Sequence, residues 1–367
     1  MIPSKQDNIT PSRQRVVVAM SGGVDSSVAA CLLHQQGYDV IGVTMRLWSE
    51  DTVNAATGNH QVCCSIEDVE DARRVCQLLD IPHYFMDFQR EFSDHVMDYF
   101  VSEYERGRTP HPCIACNDKM KFDFLLQRAK FMDAAYVATG HYARISQDTA
   151  DGRYRLLAGI DGSKDQSYVL FNLGQETLAN LLFPVGEYTK TEIRSIAQEA
   201  GLPVANKPDS QEICFIPQGD YREFLRTRLT PQPGDIVNAS GDVLGSHKGI
   251  EYYTVGQRRG LGLTGADPLF VIKLDAAERQ VVVGTEAELL QREVRVGGVR
   301  FVGGVAPEGS LPVTAKIRYN APAVSACLEA YGNEAVLRLD TPQRAVTPGQ
   351  AAVFYDGDEV LGGGFIQ

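Results

Sequence analysis

Residues Val16–Leu33, VVVAMSGGVDSSVAACLL, indicate the fold class because they join two secondary-structure patterns at a glycine turn. Its first part is a continuous apolar run, which is typical of a strand buried on both faces. Gly22 and Gly23 interrupt the run, and helical spacing begins at about Asp25 and stops before Gly37, a typical C′ glycine. A buried strand that leads directly into a helix predicts an α/β protein with a parallel sheet.

The same alternation of strand and helix patterns continues through the first half of the chain. Strand-like runs cover 39–45, 83–88 and 134–141, and helical runs cover 65–80, about 91–106 and about 119–132. The C-x-x-C pair Cys113–Cys116 is predicted to lie in a loop between the last two helices. The pattern predicts a doubly wound parallel sheet, in which ligands bind at the carboxyl ends of the strands.

From near Pro217 onward the chain has a different character, with short strand patterns separated by Gly, Pro and Asp turns. A hairpin is predicted around Ser240–Gly241. A break near 286–293 divides this half into two smaller β-rich domains, the second a barrel or sandwich. The predicted domains are 1–217, 218–287 and 288–367.

Composition and charge limit the function classes. The chain has 367 residues, a net charge of −12 and eight cysteines. The acidic balance argues against broad, non-specific nucleic-acid binding but leaves room for a locally basic groove. Neither a secretory signal nor a membrane-spanning run is apparent in the sequence. We therefore expect a cytoplasmic protein with reduced thiols, in which a specialised cysteine is catalytic or metal-bound.

The turn after the first strand, Ser21-Gly-Gly-Val-Asp-Ser-Ser27, predicts a phosphate site. Two glycines allow a close backbone approach, and the first turn of the helix offers free N–H groups to an anion. Neither of the two common nucleotide-binding fingerprints, G-x-x-x-x-G-K-[ST] and G-x-G-x-x-G, is present. The alternative is an ordinary tight turn between a strand and a helix.

The cysteines divide into two groups. Spacing within apolar patterns predicts core positions for Cys31, Cys76 and Cys327, while the adjacent pair at 63 and 64 is interpreted as structural. The spacing of Cys113 and Cys116 fits a zinc knuckle, a redox disulfide, an iron–sulfur ligand pair or part of a nucleophile pair.

The glycine turn resembles the pyrophosphatase loop of ATP pyrophosphatases, which cleave ATP between its α and β phosphates. Further motifs extend the resemblance over nearly all of 14–367, in order: AMSGGVDSSV, GVTMRLW, CCSIEDVEDARRV, ACNDKMKF, ATGHYAR, DGSKDQSYVL, SQEICFI, YYTVGQRRGLG, KIRY and TPGQAAVFY. As a set they identify the chain as similar to the tRNA-specific 2-thiouridylase family. The resemblance implies an adenine nucleotide alpha-hydrolase-like fold for the first domain.

The resemblance also implies an activity, the ATP-dependent 2-thiolation of the wobble uridine of tRNA. In this chemistry AMP is transferred to O2 of the uridine, and a sulfur nucleophile then attacks C2. ATP is expected with Mg²⁺, which offsets charge on the phosphates. The residues that the resemblance assigns to ATP are Ala19, Met20, Ser21, Gly22, Gly23, Val24, Asp25, Ser26, Met45 and Gly140.

By the same resemblance, Cys214 carries the sulfur as a persulfide, and Cys116 releases it by forming a Cys116–Cys214 disulfide. The expected partners are tRNA and a sulfur-donor protein such as a cysteine desulfurase or a sulfur carrier. The residues expected to contact tRNA are His111, Pro112, Cys113, His141, Lys164, Asp165, Gln166, Arg318, Tyr319 and Gln350.

One position departs from the common pattern of the family, which reads Asn-Pro-Asp-x-x-Cys where this chain has His111-Pro112-Cys113-Ile114-Ala115-Cys116. A third thiol thus joins Cys116 and Cys214, and three thiolates could ligate a [4Fe–4S] cluster that delivers hydrosulfide. The persulfide–disulfide route, the cluster route and a zinc site that includes His111 remain open.

Two other functions remain open as alternatives. One is another ATP pyrophosphatase-type amidating ligase, such as an argininosuccinate or GMP synthetase, which needs no reactive cysteine pair. The other is an RNA-binding protein in which ATP is regulatory and no AMP is released.

Overall fold

The computed structural model describes residues 14–48, 66–209, 213–216, 220–263 and 267–367. The chain divides into two compact units. The first contains 1–95, 113–219 and 358–360, and the second contains 96–112, 220–357 and 361–367.

The first unit is built on a five-stranded sheet in which every pair of neighbours is parallel. The valines of the central strand are fully buried, as the continuous apolar run predicts for a strand covered on both faces. In spatial order the strands are His83–Asp87, Asp39–Arg46, Arg15–Ala19, Tyr136–Ala138 and Leu181–Leu182. The predicted doubly wound parallel sheet is confirmed.

Three long helices connect or flank these strands: Val24–Gln35, Ile66–Leu78 and Lys190–Glu199. The first begins one residue before its predicted start, and it ends before Gly37, which has a φ of 89°. The last begins at a capping box in which Thr189 and Glu192 each satisfy the other's backbone N–H. Leucine, isoleucine, valine and alanine side chains on these helices form one core with the sheet.

Between residues 89 and 131 the structure differs from the predicted pair of helices with a loop between them. Cys113 lies within a short α-helix and Cys116 opens a π-helix, so the predicted loop between two helices is wrong. Pro112 is the first residue of the short helix, a position that proline favours, and the side chain of Ile114 in the same helix is buried. The segments are α Gln89–Phe92, π Ser93–Met97, α Asp98–Glu105, α Pro112–Ala115, π Cys116–Phe124 and α Leu125–Phe131.

A hairpin of Ala143–Gln147 and Tyr154–Ala158 also belongs to the first unit. The second of these strands pairs on its other edge with residues 359–360. Two short helical segments follow, the 3₁₀ turn Ser167–Leu170 and the helix Gln175–Leu178.

The second unit contains a four-stranded sheet, in the order Phe270–Asp275, Gln280–Gly284, Gly234–Asn238 and Val243–His247. The last two strands form the hairpin predicted around Ser240–Gly241, with Gly241 at a φ of 89°. Short helices at Tyr221–Arg226, Ile250–Tyr252 and Ala287–Leu289 accompany this sheet.

The C-terminal strands of the second unit close into a barrel, because the first strand of the series pairs with the last. Buried residues alternate along these strands and form a separate core. The strands are Leu290–Phe301, Ser310–Lys316, Val324–Tyr331, Glu334–Arg344, Ala351–Asp356 and Glu359–Ile366. The prediction of β-rich structure after the α/β domain is confirmed.

Three of the cysteine predictions can be compared with the structure. Cys31 and Cys76 are each 1% exposed, which confirms their core positions. Cys327 is only half-buried, because its strand neighbours Ala326 and Leu328 take the inward positions and its sulfur lies 2.8 Å from Ser310 Oγ on the other face. The pair at 63 and 64 lies outside the described residues. Within the described parts of the chain, none of the helices has the length and apolar character that a membrane span requires.

Candidate functional site

The glycine turn lies where the strand order of the parallel sheet reverses. The central strand Arg15–Ala19 has Asp39–Arg46 on one side and Tyr136–Ala138 on the other, so the chain leaves it in both directions. Ligands of open α/β sheets bind at such a switch point, at the carboxyl ends of the strands. The turn at Gly22 and the segment at Gly140 follow the carboxyl ends of two of these neighbouring strands.

Two of the glycines assigned to ATP are required by the local packing. Gly22 has a φ of +73°, and a Cβ there would lie 2.2 Å from the carbonyl oxygen of Asp68. A Cβ on Gly140 would lie 2.6 Å from the backbone nitrogen of Ser26, in the first turn of the helix. Gly22 therefore lets the turn pack directly against the helix Ile66–Leu78, and Gly140 lets the end of its strand pack against the helix start that is predicted to hold phosphate.

The serine hydroxyls of the turn have different roles. Ser26 and Ser27 are buried, and their hydroxyls donate to the carbonyl of Gly23 at 3.3 and 2.8 Å. Ser21 is exposed, with its Oγ 3.2 Å from that of Ser26. Ser21 is thus the hydroxyl available to an incoming anion, while the other two stabilise the turn.

Several residues assigned to ATP have buried side chains. Ala19, Met20, Val24 and Met45 are between 2 and 9% exposed. Their side chains belong to the core, so backbone groups are what they can offer to a nucleotide. This matches a cradle made chiefly of backbone N–H groups.

Asp25, one of the residues assigned to ATP, is held by two partners that the sequence did not reveal. Lys190 Nζ lies 2.8 and 2.9 Å from its two oxygens, and the Tyr142 hydroxyl donates to Oδ1 at 2.7 Å. Lys190 also lies 2.8 Å from Asp209. In the sequence, Lys190 is visible only as a lysine at the first position of a helix with a capping box, and this feature is too common to identify a site.

The predicted tRNA-contacting loop at 164–166 is well ordered by internal hydrogen bonds. Lys164 pairs with Asp209 at 2.8 Å, and Asp165 accepts from the backbone N–H groups of Gly159 and Ser167. The Gln166 side chain accepts from the N–H of Tyr142 at 3.0 Å. The contacts of these three residues with tRNA remain a prediction.

The thiol of Cys116 lies on the same side of its helix as a lysine. Hydrogen bonds of a π-helix join residues five apart, so Lys121 follows Cys116 by one turn on the same face. Burial raises the pKa of the Cys116 thiol, and the charge of Lys121 opposes this effect. In an α-helix the two side chains would point in different directions.

Lys121 continues into a buried polar chain. Its Nζ lies 3.4 Å from Nε2 of His141, whose Nδ1 lies 2.6 Å from Oγ1 of Thr139. Burial, followed by the charge of Lys121, holds the pKa of His141 well below its usual range. The imidazole is therefore neutral at physiological pH and can exchange hydrogen bonds without carrying charge.

The second predicted thiol, Cys214, is half-buried and is followed by the buried Phe215, whose ring packs edge-to-face on Phe92 at 5.6 Å. Among the described residues, which include Cys113, Cys116 and Cys214, no three His, Cys, Asp or Glu side chains are arranged to hold a metal. The arrangement does not fit a [4Fe–4S] cluster or a closed zinc site. We derive no step through either.

In the second unit, predicted tRNA-contacting residues from distant parts of the sequence come together. The rings of His111 and Tyr319 pack edge-to-face at 5.7 Å, and Gln350 Nε2 donates to the carbonyl of Thr109 at 2.8 Å. Arg318 donates to the carbonyl of Arg344. Burial lowers the pKa of His111 to about 4, so this ring is neutral near pH 7.

Comparison with known proteins matches almost the whole chain. Three family models match in succession: a tRNA methyl transferase HUP domain over 14–218, a tRNA methyl transferase PRC-barrel domain over 222–285 and an aminomethyltransferase beta-barrel domain over 291–366. The HUP and β-barrel descriptions agree with the parallel α/β sheet and the closed barrel.

Full-length relatives share about half of their residues with this chain. The tRNA-specific 2-thiouridylase MnmA of Heliobacterium modesticaldum is 50% identical, over 96% of this chain and 92% of the relative. The enzyme of the same name from Moorella thermoacetica is 49% identical, over 96% of this chain and 99% of the relative. With this identity over nearly its full length, and with a pyrophosphatase-type loop at the switch point of its parallel sheet, the chain belongs to the tRNA-specific 2-thiouridylase family.

Proposed function

We propose that this protein catalyses the ATP-dependent 2-thiolation of the wobble uridine of tRNA. The observation that carries the proposal is the combination of a backbone phosphate cradle at the sheet's switch point with a lysine-faced thiol, Cys116, in the same unit. The names of the full-length relatives support the substrate and the reaction.

The first step activates the uridine. Uridine O2 attacks the α-phosphate of ATP, the bond between the α and β phosphates breaks, and pyrophosphate leaves into the cradle formed by Ser21, Gly22 and Gly23. Magnesium bound with the ATP would neutralise phosphate charge. Phosphate oxygens and water would supply most of its coordination, and Asp25, whose oxygens accept from Lys190 and Tyr142 in this structure, is the carboxylate of the loop that would orient it.

The second step exchanges oxygen for sulfur. The Cys116 thiolate attacks the inner sulfur of a Cys214 persulfide, which forms a Cys116–Cys214 disulfide and releases hydrosulfide. The hydrosulfide attacks C2 of the adenylated uridine, and AMP leaves with the former O2. A thiol reductant then restores both cysteines, and a sulfur-donor protein reloads Cys214.

Lys121 supports this step electrostatically. Burial works against the thiolate form of Cys116, and an ammonium on the same face of the π-helix favours it. Cys113, which lies three residues before Cys116 and is exposed, is given no role in sulfur transfer in this proposal.

The remaining predicted residues are proposed to hold the tRNA. They are His111, Pro112, Cys113, His141, Lys164, Asp165, Gln166, Arg318, Tyr319 and Gln350. Reaching the C2 position requires that the base leave its stack, at a cost of a few kcal/mol that such contacts would offset. We also propose the domain division 1–217, 218–287 and 288–367, which the ranges of the three family models support.

The test is tRNA-dependent cleavage of ATP. The purified protein with ATP, magnesium and unmodified tRNA should release pyrophosphate and AMP, and omission of tRNA should suppress both. Cys116→Ser and Cys214→Ser should each remove thiouridine formation. An amidating ligase would keep full activity in both variants, and an RNA-binding protein with regulatory ATP would release no AMP.

A further inference from the structure

A single ammonium group joins the phosphate loop to the segment that precedes Cys214. Lys190 Nζ lies 2.8 Å from an oxygen of Asp25, in the first turn after the glycines, and 2.8 Å from an oxygen of Asp209. The Lys190 side chain is only 12% exposed, so this bridge is shielded from solvent more than a surface ion pair.

Asp209 is held by three cations. Besides Lys190, it accepts from Lys164 at 2.8 Å and from Arg194 at 3.0 Å. Burial would raise its pKa, but hydrogen bonds from Lys164 and Lys190 outweigh that effect and give a pKa of about 2. The carboxylate is therefore charged near neutral pH.

The backbone just before Asp209 is fixed to the same loop. Arg194 donates to the carbonyls of Ala205 and Lys207 at 2.8 and 3.0 Å. Lys207 Nζ in turn donates to the carbonyl of Gly22 at 3.0 Å. Residues 205–209 thus contact the glycine turn at Gly22 directly and through Lys190.

Cys214 follows this anchored stretch closely. It lies five residues after Asp209, and an extended chain spans at most ~3.6 Å per residue, so the two Cα atoms are within about 18 Å. On the other side, Phe215 is 1% exposed and packs on Phe92. The sulfur-carrying residue thus lies between a charged anchor and an apolar one.

We propose that Asp209 is a positioning residue that holds the Cys214 segment in register with the phosphate loop through Lys190. This inference rests on the proposed thiolation. Without the carboxylate, Lys164, Lys190 and Arg194 would repel one another, and the segment would lose its charged anchor. Adenylation depends on the phosphate loop and should persist, whereas sulfur delivery should lose its geometry.

The predicted signature is uncoupling of the two steps. In the proposed reaction the wild-type protein forms one AMP for each thiouridine. A misplacement of about 1 Å costs on the order of 100-fold in a positioned reaction. In Asp209→Asn, which keeps the side chain's shape and removes its charge, the ratio of AMP to thiouridine should rise at least ~10-fold on that scale.

Two variants serve as comparison. Asp209→Glu keeps the charge and should return the ratio toward the wild-type value. If the raised ratio came from altered packing alone, restoring the charge would not lower it. Asp39→Asn removes another carboxylate of the first unit, paired with Arg15 at 2.7 Å at the amino end of the central strands, and should leave the ratio unchanged.

Equal losses of AMP and thiouridine in Asp209→Asn, with an unchanged ratio, would overturn the inference. If that variant does not fold, Arg194→Met, which removes the contacts to Asp209 and to the carbonyls of Ala205 and Lys207 and leaves the Lys190–Asp25 pair in place, must show the raised ratio, and a wild-type ratio there would overturn the inference equally. A wild-type protein that makes no thiouridine would instead overturn the proposed function, so the two failures are distinguishable.

Discussion

Gly140→Ala tests the phosphate site most sharply, because a single methyl group is aimed at the start of the helix. The new Cβ would lie 2.6 Å from Ser26 N and 2.7 Å from the carbonyl carbon of Asp25. Ordinary contacts begin near 3.4 Å, so the strand end and the helix start must separate by about 0.8 Å (3.4 − 2.6). Gly140 is not in the left-handed region, so the effect is steric rather than conformational.

The magnitude follows from that displacement. Overpacking of this kind costs about 1–3 kcal/mol of stability, which a folded domain with about 5–15 kcal/mol tolerates. A shift approaching 1 Å in the groups that hold the reacting phosphate costs about 100-fold in rate. We therefore expect a folded protein whose tRNA-dependent pyrophosphate release falls by roughly two orders of magnitude.

The assay is pyrophosphate release under saturating ATP and tRNA, with a thermal melt on the same preparation. Gly303→Ala is the matched control, since a Cβ at that position meets nothing within 4 Å and its backbone is not left-handed. A folded Gly140→Ala protein that keeps more than half of the wild-type rate would refute the assignment of this strand end to the phosphate site.

Three further predictions address the thiol, a histidine and a helix cap. Lys121→Met should slow alkylation of Cys116 by iodoacetamide at fixed pH, because the ammonium favours the thiolate, while Lys121→Arg should not; equal rates in all three proteins would contradict this role. For His111 the folded pKa is about 4 against an ordinary 6.5, so the unfolded state takes up a proton between these pH values and stability falls as pH decreases. The free energy of unfolding that is lost between pH 6.5 and pH 4 should be smaller in His111→Asn by up to about 3 kcal/mol, as measured by urea titrations at the two pH values. The same loss in the variant and the wild type would show that the ring does not titrate this way. Thr189→Ala should cost about 1 kcal/mol by loss of the capping box with Glu192, whereas Thr189→Ser should cost little, as measured by urea unfolding.

The sequence predicts the parallel sheet and the phosphate loop because both depend on local patterns. A run of valines, two glycines and a helical period lie within one short stretch, and they suffice to place Gly22 and Gly23 at the carboxyl end of a buried strand. The hairpin at Ser240–Gly241 is predictable for the same reason, since its turn residues are adjacent.

The ion pairs of the site could not be predicted, because they join residues far apart in the sequence. Asp25 and Lys190 are 165 residues apart, and only the folded sheet brings the helices that carry them together. The π-helix at Cys116 also has no local sequence signal, and an ordinary helical period would place Lys121 on a different face.

Cys327 shows a third limit. The run Ala326-Cys327-Leu328 is apolar at every position, so alternation does not reveal whether Cys327 or its two neighbours face the barrel interior. Pairing with the neighbouring strands decides it, and Ala326 and Leu328 take the inward positions.

Thiolation by this protein is tested most directly by mass analysis of tRNA nucleosides after reaction with ATP, magnesium, a sulfur donor and a reductant. The wobble uridine should gain the mass difference between sulfur and oxygen, and the gain should be absent without ATP and in Cys116→Ser. A wobble uridine of unchanged mass, from a preparation that binds both ATP and tRNA, would contradict the proposed thiolation.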